Sequence, residues 1–201
     1  MPRKLEFDPD DVLEKAMYAF WKRGVEHTSV SDLVAATGVQ RSGLYGVFGS
    51  KEALFERSLR LYIDSVVKVN FGRFFDKTDT DIEDLKRYFA NYSYILEKPV
   101  SINGCLMCNT AISKSSEARV LNDEIAKMFT EIKGFFETAL RNTREKGLLT
   151  ASSSDTQIAE SLLASVVALS TLCRSPNGRS LVNSYVAELL DRLDTLGPRG
   201  A

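Results

Sequence analysis

The sequence predicts an all-α fold, and three observations carry the prediction. Apolar residues recur at helical spacing along almost the whole chain, strand-like alternation is scarce, and the helical stretches are closed by cap residues, glycines and prolines. The first stretch, Asp8 to Lys22, puts Val12, Leu13, Ala16, Met17, Phe20 and Trp21 on one face. Asp8 as N-cap, Pro9 at the first helical position and Asp11 three residues after the cap start it, and Gly24 stops it. Thr28 or Ser29 then caps a short helix, with Asp32 near its third position, that runs to Gly38. Val39 to Phe48 follows, and after Gly49 the cap Ser50 opens a longer helix from Lys51 to about Phe75.

Thr80 to Glu97 is the next helix, with Ile82, Leu85, Tyr88, Phe89, Tyr92 and Leu96 on its apolar face and Pro99 as its stop. Cys105 to Ser113 is short, Glu117 to Lys146 is long with Gly147 as C-cap, and Asp155 to Leu172 and Arg179 to Leu196 complete nine helices. No internal repeat points to a solenoid. Short, closely punctuated helices up to about Phe55 give way to long ones, so a small N-terminal module (1–55) is expected on a larger helical body (56–201).

A chain of 201 residues, 44% hydrophobic and 26% charged, can bury a core without staples. Three cysteines, Cys105, Cys108 and Cys173, are too few for a disulfide framework, and MPRKLEFDPDD has no signal-peptide pattern, so a reducing, cytoplasmic setting is expected. Ile158 to Leu172 is the most apolar segment, but Glu160, Ser161, Ser165 and Ser170 interrupt it and it is too short for a bilayer; no membrane partner is expected. With 26 Lys+Arg against 27 Asp+Glu, any nucleic-acid binding must be local. A single histidine, His27, weakens the case for a hydrolase or a metal enzyme, and neither a metal nor a cofactor is expected.

The informative stretch is TSVSDLVAATGVQRSGLYGVFGSKEAL, from Thr28 to Leu54. Two short helices joined at Gly38 have the spacing of a helix-turn-helix, whose second helix enters the DNA major groove. Leu33, Val39, Leu44 and Phe48 would set the angle between the helices. Gln40, Arg41, Ser42 and Tyr45 would face outwards. Arg41 can fork onto a guanine and Gln40 onto an adenine, while Thr28, Ser42, Tyr45 and Lys51 can bond phosphate oxygens. The helix starts near Ser29 and at Lys51 would aim backbone N–H groups at the same phosphates. Residues 1 to 56 are net acidic, yet Val39 to Lys51 contains no acidic residue.

Together with FDPDDVLEKAMYAFWKRGVEHTSV, the segment GVQRSGLYGVFGSKEALF resembles the TetR family of transcriptional regulators, and the length and nine-helix plan agree with it. The resemblance implies a DNA-reading set of Thr28, Ser29, Gln40, Arg41, Ser42, Gly43, Tyr45 and Lys51, and a homodimeric repressor that releases a pseudo-palindromic operator when an unidentified small-molecule inducer binds. Two positions depart from the family pattern. Val34 stands where many members have alanine, and Gly46 where many have an aromatic or histidine phosphate contact.

For the body, the family's plan implies a dimer interface on the last two helices. Ala164 and Ala168 belong to a run of small residues that permits close helix approach, and Tyr185, Val186, Leu189 and Leu193 lie on a broad apolar stripe. Both features equally suit helices covering their own core. Phe71, Phe74, Phe89, Tyr92, Cys105, Met107, Phe135 and Phe136 are the candidate pocket residues, although such a stripe is also what an ordinary core looks like. Cys105 and Cys108 form a C-x-x-C that would share a helix face. A zinc site would need two further ligands and a thioredoxin-type motif a βαβ setting, which leaves small buried residues or a thiol switch for redox agents or electrophiles. A small helical enzyme and a protein-binding adaptor are the rival classes; paired titratable groups in a pocket would mark the first, and absence of sequence-dependent DNA retention the second.

Overall fold

The computed structural model describes residues 7–95, 97, 103–113 and 121–196. Its elements are α1 (Pro9–Arg23), α2 (Val30–Thr37), α3 (Arg41–Phe48), α4 (Lys51–Tyr62), a π-helical segment (Ile63–Val67), α5 (Lys68–Phe75), α6 (Ile82–Ile95), α7 (Leu106–Ala111), α8 (Asn122–Glu145), α9 (Asp155–Leu172) and α10 (Gly178–Leu196). Counting α4, the π segment and α5 as one rod gives nine helical rods among the described residues, and these residues contain no strand.

Local chemistry places most of the boundaries. Asp8 accepts from the Asp10 amide to start α1, and Ser29 and Asp32 form a reciprocal capping box at α2. Ser50 accepts from the Ala53 amide to open α4, and Ser154 with Gln157 makes a second capping box at α9. The helix from Cys105 to Ser113 shortens to Leu106–Ala111, and α3, α6 and the long rod also differ from expectation. α3 begins at Arg41 because the Val39 amide is taken by the Thr37 hydroxyl at 3.2 Å. α6 begins at Ile82, whose amide donates to the Thr143 hydroxyl of α8 at 2.9 Å, while the Thr80 carbonyl before it accepts from Asn142 of the same helix at 2.8 Å. The long rod after Ser50 is not uniformly α-helical: Ser65 bonds back to the Leu61 carbonyl and Asn70 to the Val66 carbonyl, both at 2.6 Å, and the π turns, Ile63–Val67, overlap both bonds. Leu96, Pro99 and Glu117 lie outside the described residues.

The module packs α1 against α2 and α4, with Phe20 edge-on to Phe55 at 5.0 Å at its centre. In the body α8 packs on α9, α6 on α10, and α7 is held between α4, α8 and α9. A second aromatic centre forms there around Tyr88, whose ring meets Phe89 and Phe136 at 5.2 Å and Phe135 at 5.7 Å.

One expectation for α10 is corrected. Val186, Leu189 and Leu193 are buried in the chain's own core, facing α6, because α6 carries an apolar face of its own that α10 covers; a Lys86–Asp194 ion pair joins the same two helices. The stripe on α10 is therefore inward over these three residues. Ala164 is exposed, and Ala168 and Tyr185 are half-buried, Tyr185 sharing a 3.0 Å hydrogen bond with Ser165 of α9.

Candidate functional site

α3 stands on a rigid base. Leu44 and Phe48, one helical turn apart, are buried, and Leu33 and Val39 close the angle with α2. The opposite face therefore turns outwards: Gln40, Arg41 and Ser42 are exposed, and Gly43, Tyr45 and Lys51 are half-buried beside them. Gln40 occupies the N-cap position yet spends no side-chain hydrogen bond there, and the Arg41 guanidinium lies 5.3 Å over the Tyr45 ring, which stacks and orients it. Gly43 is required by close approach, since a Cβ there would meet Val39 Cγ1 at 2.8 Å and the Phe7 ring at 3.2 Å. The Arg57 guanidinium over Phe48, at 5.5 Å, adds a cation at the far end of α3 that the helix-turn-helix pattern did not mark.

Thr28 is corrected. Expected to reach a phosphate, it is fully buried, and its hydroxyl donates to the Gly24 carbonyl at 2.7 Å, sealing the end of α1. Ser29 is exposed, but its hydroxyl serves the capping box and donates to Asp32 at 2.7 Å. Val34 is half-buried against the core, and a Cβ on Gly46 would meet nothing within 4 Å, so that the position stands in open space.

The second site is a cavity of about 230 Å³ between module and body. α1 contributes Tyr18 and Trp21, α4 Tyr62, the π segment Ser65, Val66 and Val67, and α5 Phe71. Tyr88 and Tyr92 come from α6, Met107 and Cys108 from α7, and Val166 and Ser170 from α9, with Gly104, Cys105 and Cys173 on the intervening turns. Among the described residues, no Asp, Glu, Lys, Arg or His lines it. Of the expected pocket residues, Phe71, Tyr92, Cys105 and Met107 face the space, whereas Phe74, Phe89, Phe135 and Phe136 do not line it, because they stack on one another and on Tyr88. Tyr18, Trp21, Tyr62, Tyr88 and Ser170 were not expected. Their signal was hidden because each also reads as part of its own helix's apolar or polar pattern.

Burial pushes the Tyr88 and Tyr92 phenols, which line this cavity, above their usual range. Tyr62 is raised for the same reason. Cys105 moves the other way, to about 7, because Cys108 and then Tyr62 hydrogen-bond to its sulfur more strongly than burial opposes. Cys173 is pushed up to about 11 by burial.

Among the described residues, two bonds tie the module to this region. The Trp21 indole N–H donates to the Gly104 carbonyl at 2.8 Å, and the Ser113 hydroxyl donates to Glu26, so the segment carrying α7 is held to α1 and its loop on both sides.

Comparison with known proteins gives concordant results. The family model described as "Bacterial regulatory proteins, tetR family" matches residues 12–57, and that described as "Tetracyclin repressor-like, C-terminal domain" matches residues 82–182. The HTH-type transcriptional repressor ComR of Escherichia coli (strain K12) is 36% identical over 112 residues, which is 56% of this chain and 53% of ComR, so the chain matches about half the length of that relative. The HTH-type transcriptional regulator YezE of Bacillus subtilis (strain 168) is 24% identical over 196 residues, 98% of this chain and 94% of YezE. Among solved structures, a cysteine mutant of the TetR family transcriptional regulator CifR, complexed with 26bp double-strand operator DNA, superposes with a TM-score of 0.76 at 25% identity, covering 95% of this chain and 98% of that one. A TetR transcriptional regulator from Chloroflexus aurantiacus gives a TM-score of 0.80 at 20% identity over 94% of each chain.

Proposed function

The chain belongs to the tetR family of bacterial regulatory proteins, and on that premise we propose that it is a homodimeric transcriptional repressor that holds a pseudo-palindromic operator through α3 and releases it when an uncharged small molecule fills the cavity. The observation that carries this reading is the outward face of α3, where Gln40, Arg41, Ser42 and Tyr45 stand over a buried Leu44–Phe48 face with no acidic residue nearby in sequence. Residues 1–55 read DNA, and residues 56–201 hold ligand and second copy. Arg41 and Gln40 read base edges; Ser42, Tyr45 and Lys51 hold phosphates, with the backbone at Ser29 and Gly43 approaching closely. The likeness to CifR on operator DNA and to the repressor ComR supports the assignment.

The cavity supports the inducer half of the reading. The described residues of its walls are mostly aromatic or aliphatic and all uncharged, which favours a neutral, largely apolar ligand. Because Tyr18 and Trp21 of α1 form part of the wall, a ligand that fits one disposition of α1 better than another shifts the reading heads by that difference in affinity. The second copy docks on the outward faces of α9 and α10, around Ala164, Ala168, Tyr185 and the exposed Leu181. This places two α3 helices about 34 Å or a multiple apart on the DNA. The protein works as a cytoplasmic regulator without a catalytic step of its own.

Selection from a pool of random duplexes, followed by footprinting, tests the reading. An inverted repeat bound by two chains is expected. Retention of all duplexes alike would overturn it. Ala164→Glu with Ala168→Glu, at one exposed and one half-buried position of α9, should give folded monomers by sedimentation with operator binding lost; a variant that stays dimeric would move the interface elsewhere.

A further inference from the structure

The C-x-x-C lies where the two modules touch. Cys105 is the non-helical residue just before α7, with φ −105° and ψ 121°, while Cys108 sits within the first turn of α7 and is 1% exposed. Both cysteines line the cavity. Gly104, the neighbour of Cys105, is wedged. Its carbonyl accepts from Trp21 at 2.8 Å, its φ is +66°, and a Cβ on it would meet the Ser170 carbonyl at 2.4 Å. Cys105 stands at the N-cap and Cys108 three residues on, in the first turn of α7, and a disulfide needs their Cβ atoms about 3.8 Å apart. Because Cys108 is packed within the helix, the movement that joining the sulfurs demands falls on Cys105 and on Gly104 beside it.

We propose that Cys105 and Cys108 are a modification site, a dithiol that a hydroperoxide closes to a disulfide, and that the closure pulls the Gly104 carbonyl off the Trp21 indole and loosens the reading head. This rests on the DNA-binding reading for its consequence, but its chemistry stands apart from it. The Cys105 thiolate attacks the terminal oxygen of the hydroperoxide; the O–O bond breaks, the alkoxide leaves and takes a proton as the alcohol, and Cys105 becomes a sulfenic acid. The Cys108 sulfur then attacks the Cys105 sulfur, the S–O bond breaks, and the hydroxyl leaves with the Cys108 proton as water. Two thiols and one hydroperoxide thus give one disulfide, one alcohol and one water. The lowered Cys105 thiol supplies the thiolate, and the raised Cys173 thiol disfavours that residue as attacker.

The single tryptophan of the chain, Trp21, reports the bond directly. The full-length protein is treated with cumene hydroperoxide and read by peptide mass, tryptophan emission and affinity for the duplex recovered by selection. The expected result is a loss of 2 Da confined to the peptide carrying Cys105 and Cys108, a change in emission reversed by dithiothreitol, and about a tenfold weaker operator complex. Cys105→Ser and Cys108→Ser should lose all three responses, Cys173→Ser should keep the mass loss, and Trp21→Phe should form the disulfide with little further change in affinity. No 2 Da loss, a bond to Cys173, or a disulfide that leaves emission and affinity unchanged would overturn the proposal. If the reduced protein selects no duplex, the repressor reading fails, while mass and emission still decide for or against the dithiol and its contact with Trp21.

Discussion

The module and the body place their polar side chains in opposite ways. On α3 the groups that can meet another molecule point to solvent, on a helix whose inner face is filled by Leu44 and Phe48. In the body the hydroxyls of Tyr62, Tyr88, Tyr92 and Ser170 are turned inwards to a hollow, where burial keeps the phenols protonated. The body itself repeats the contrast: the Phe89–Phe136 side of α6 is densely stacked, at 5.7 Å between rings, whereas its Tyr88–Tyr92 side faces about 230 Å³ of space. The same helix thus supports stability with one set of aromatics and ligand access with another.

Aromatic truncation should give the largest effect and tests the contrast within the body. Phe89→Ala is expected to cost about 3–5 kcal/mol in urea unfolding. Phe71→Ala, which enlarges an existing cavity, should cost less; equal losses would mean that the cavity wall is as tightly packed as the core. Next comes Gly104→Ala, which imposes a Cβ 2.4 Å from the Ser170 carbonyl at a positive φ. It should cost about 1–3 kcal/mol and shift Trp21 emission, and an unshifted spectrum would show that the contact does not join the two regions.

On the module side, Arg41→Ala should weaken the selected duplex by about 1–3 kcal/mol and relax preference at one position per half-site, while Lys51→Ala should weaken all sequences alike and reduce the salt slope by about 1. Equal losses on selected and random DNA in titrations of both variants would refute that division. The smallest effect belongs to the α2 cap. Ser29→Ala should cost about 1 kcal/mol in thermal unfolding at neutral pH. The Ser29 hydroxyl and amide, and then Arg23, hold the Asp32 carboxyl below its usual 3.8. A depressed folded-state value stabilises above the unfolded value and is lost as pH falls through the folded one, so the difference between wild type and variant should shrink below about pH 4. A difference that stays constant down to pH 2 would exclude the carboxylate from the cap.

How much could be read in advance follows the range of each interaction. Caps and turns act over two to four residues, so Asp8, Ser29, Gly38 and Ser50 marked helix ends that the structure keeps. The outward face of α3 was equally legible, since Leu44 and Phe48 fix it by periodicity. Thr28 was misjudged because a threonine beside a helix start serves either a phosphate or its own backbone, and only the fold shows the Gly24 carbonyl within reach. By itself, then, the sequence determined the all-α class, the helix-turn-helix and the side of it that meets solvent, because local hydrogen bonds and the 3.6-residue period settle those. Tertiary structure alone decided that Val186, Leu189 and Leu193 face α6, and that Trp21 meets Gly104 across 83 residues beside the paired cysteines. An apolar stripe says that something must cover it but not what, and a cavity exists only where helices distant in sequence fail to close the space between them.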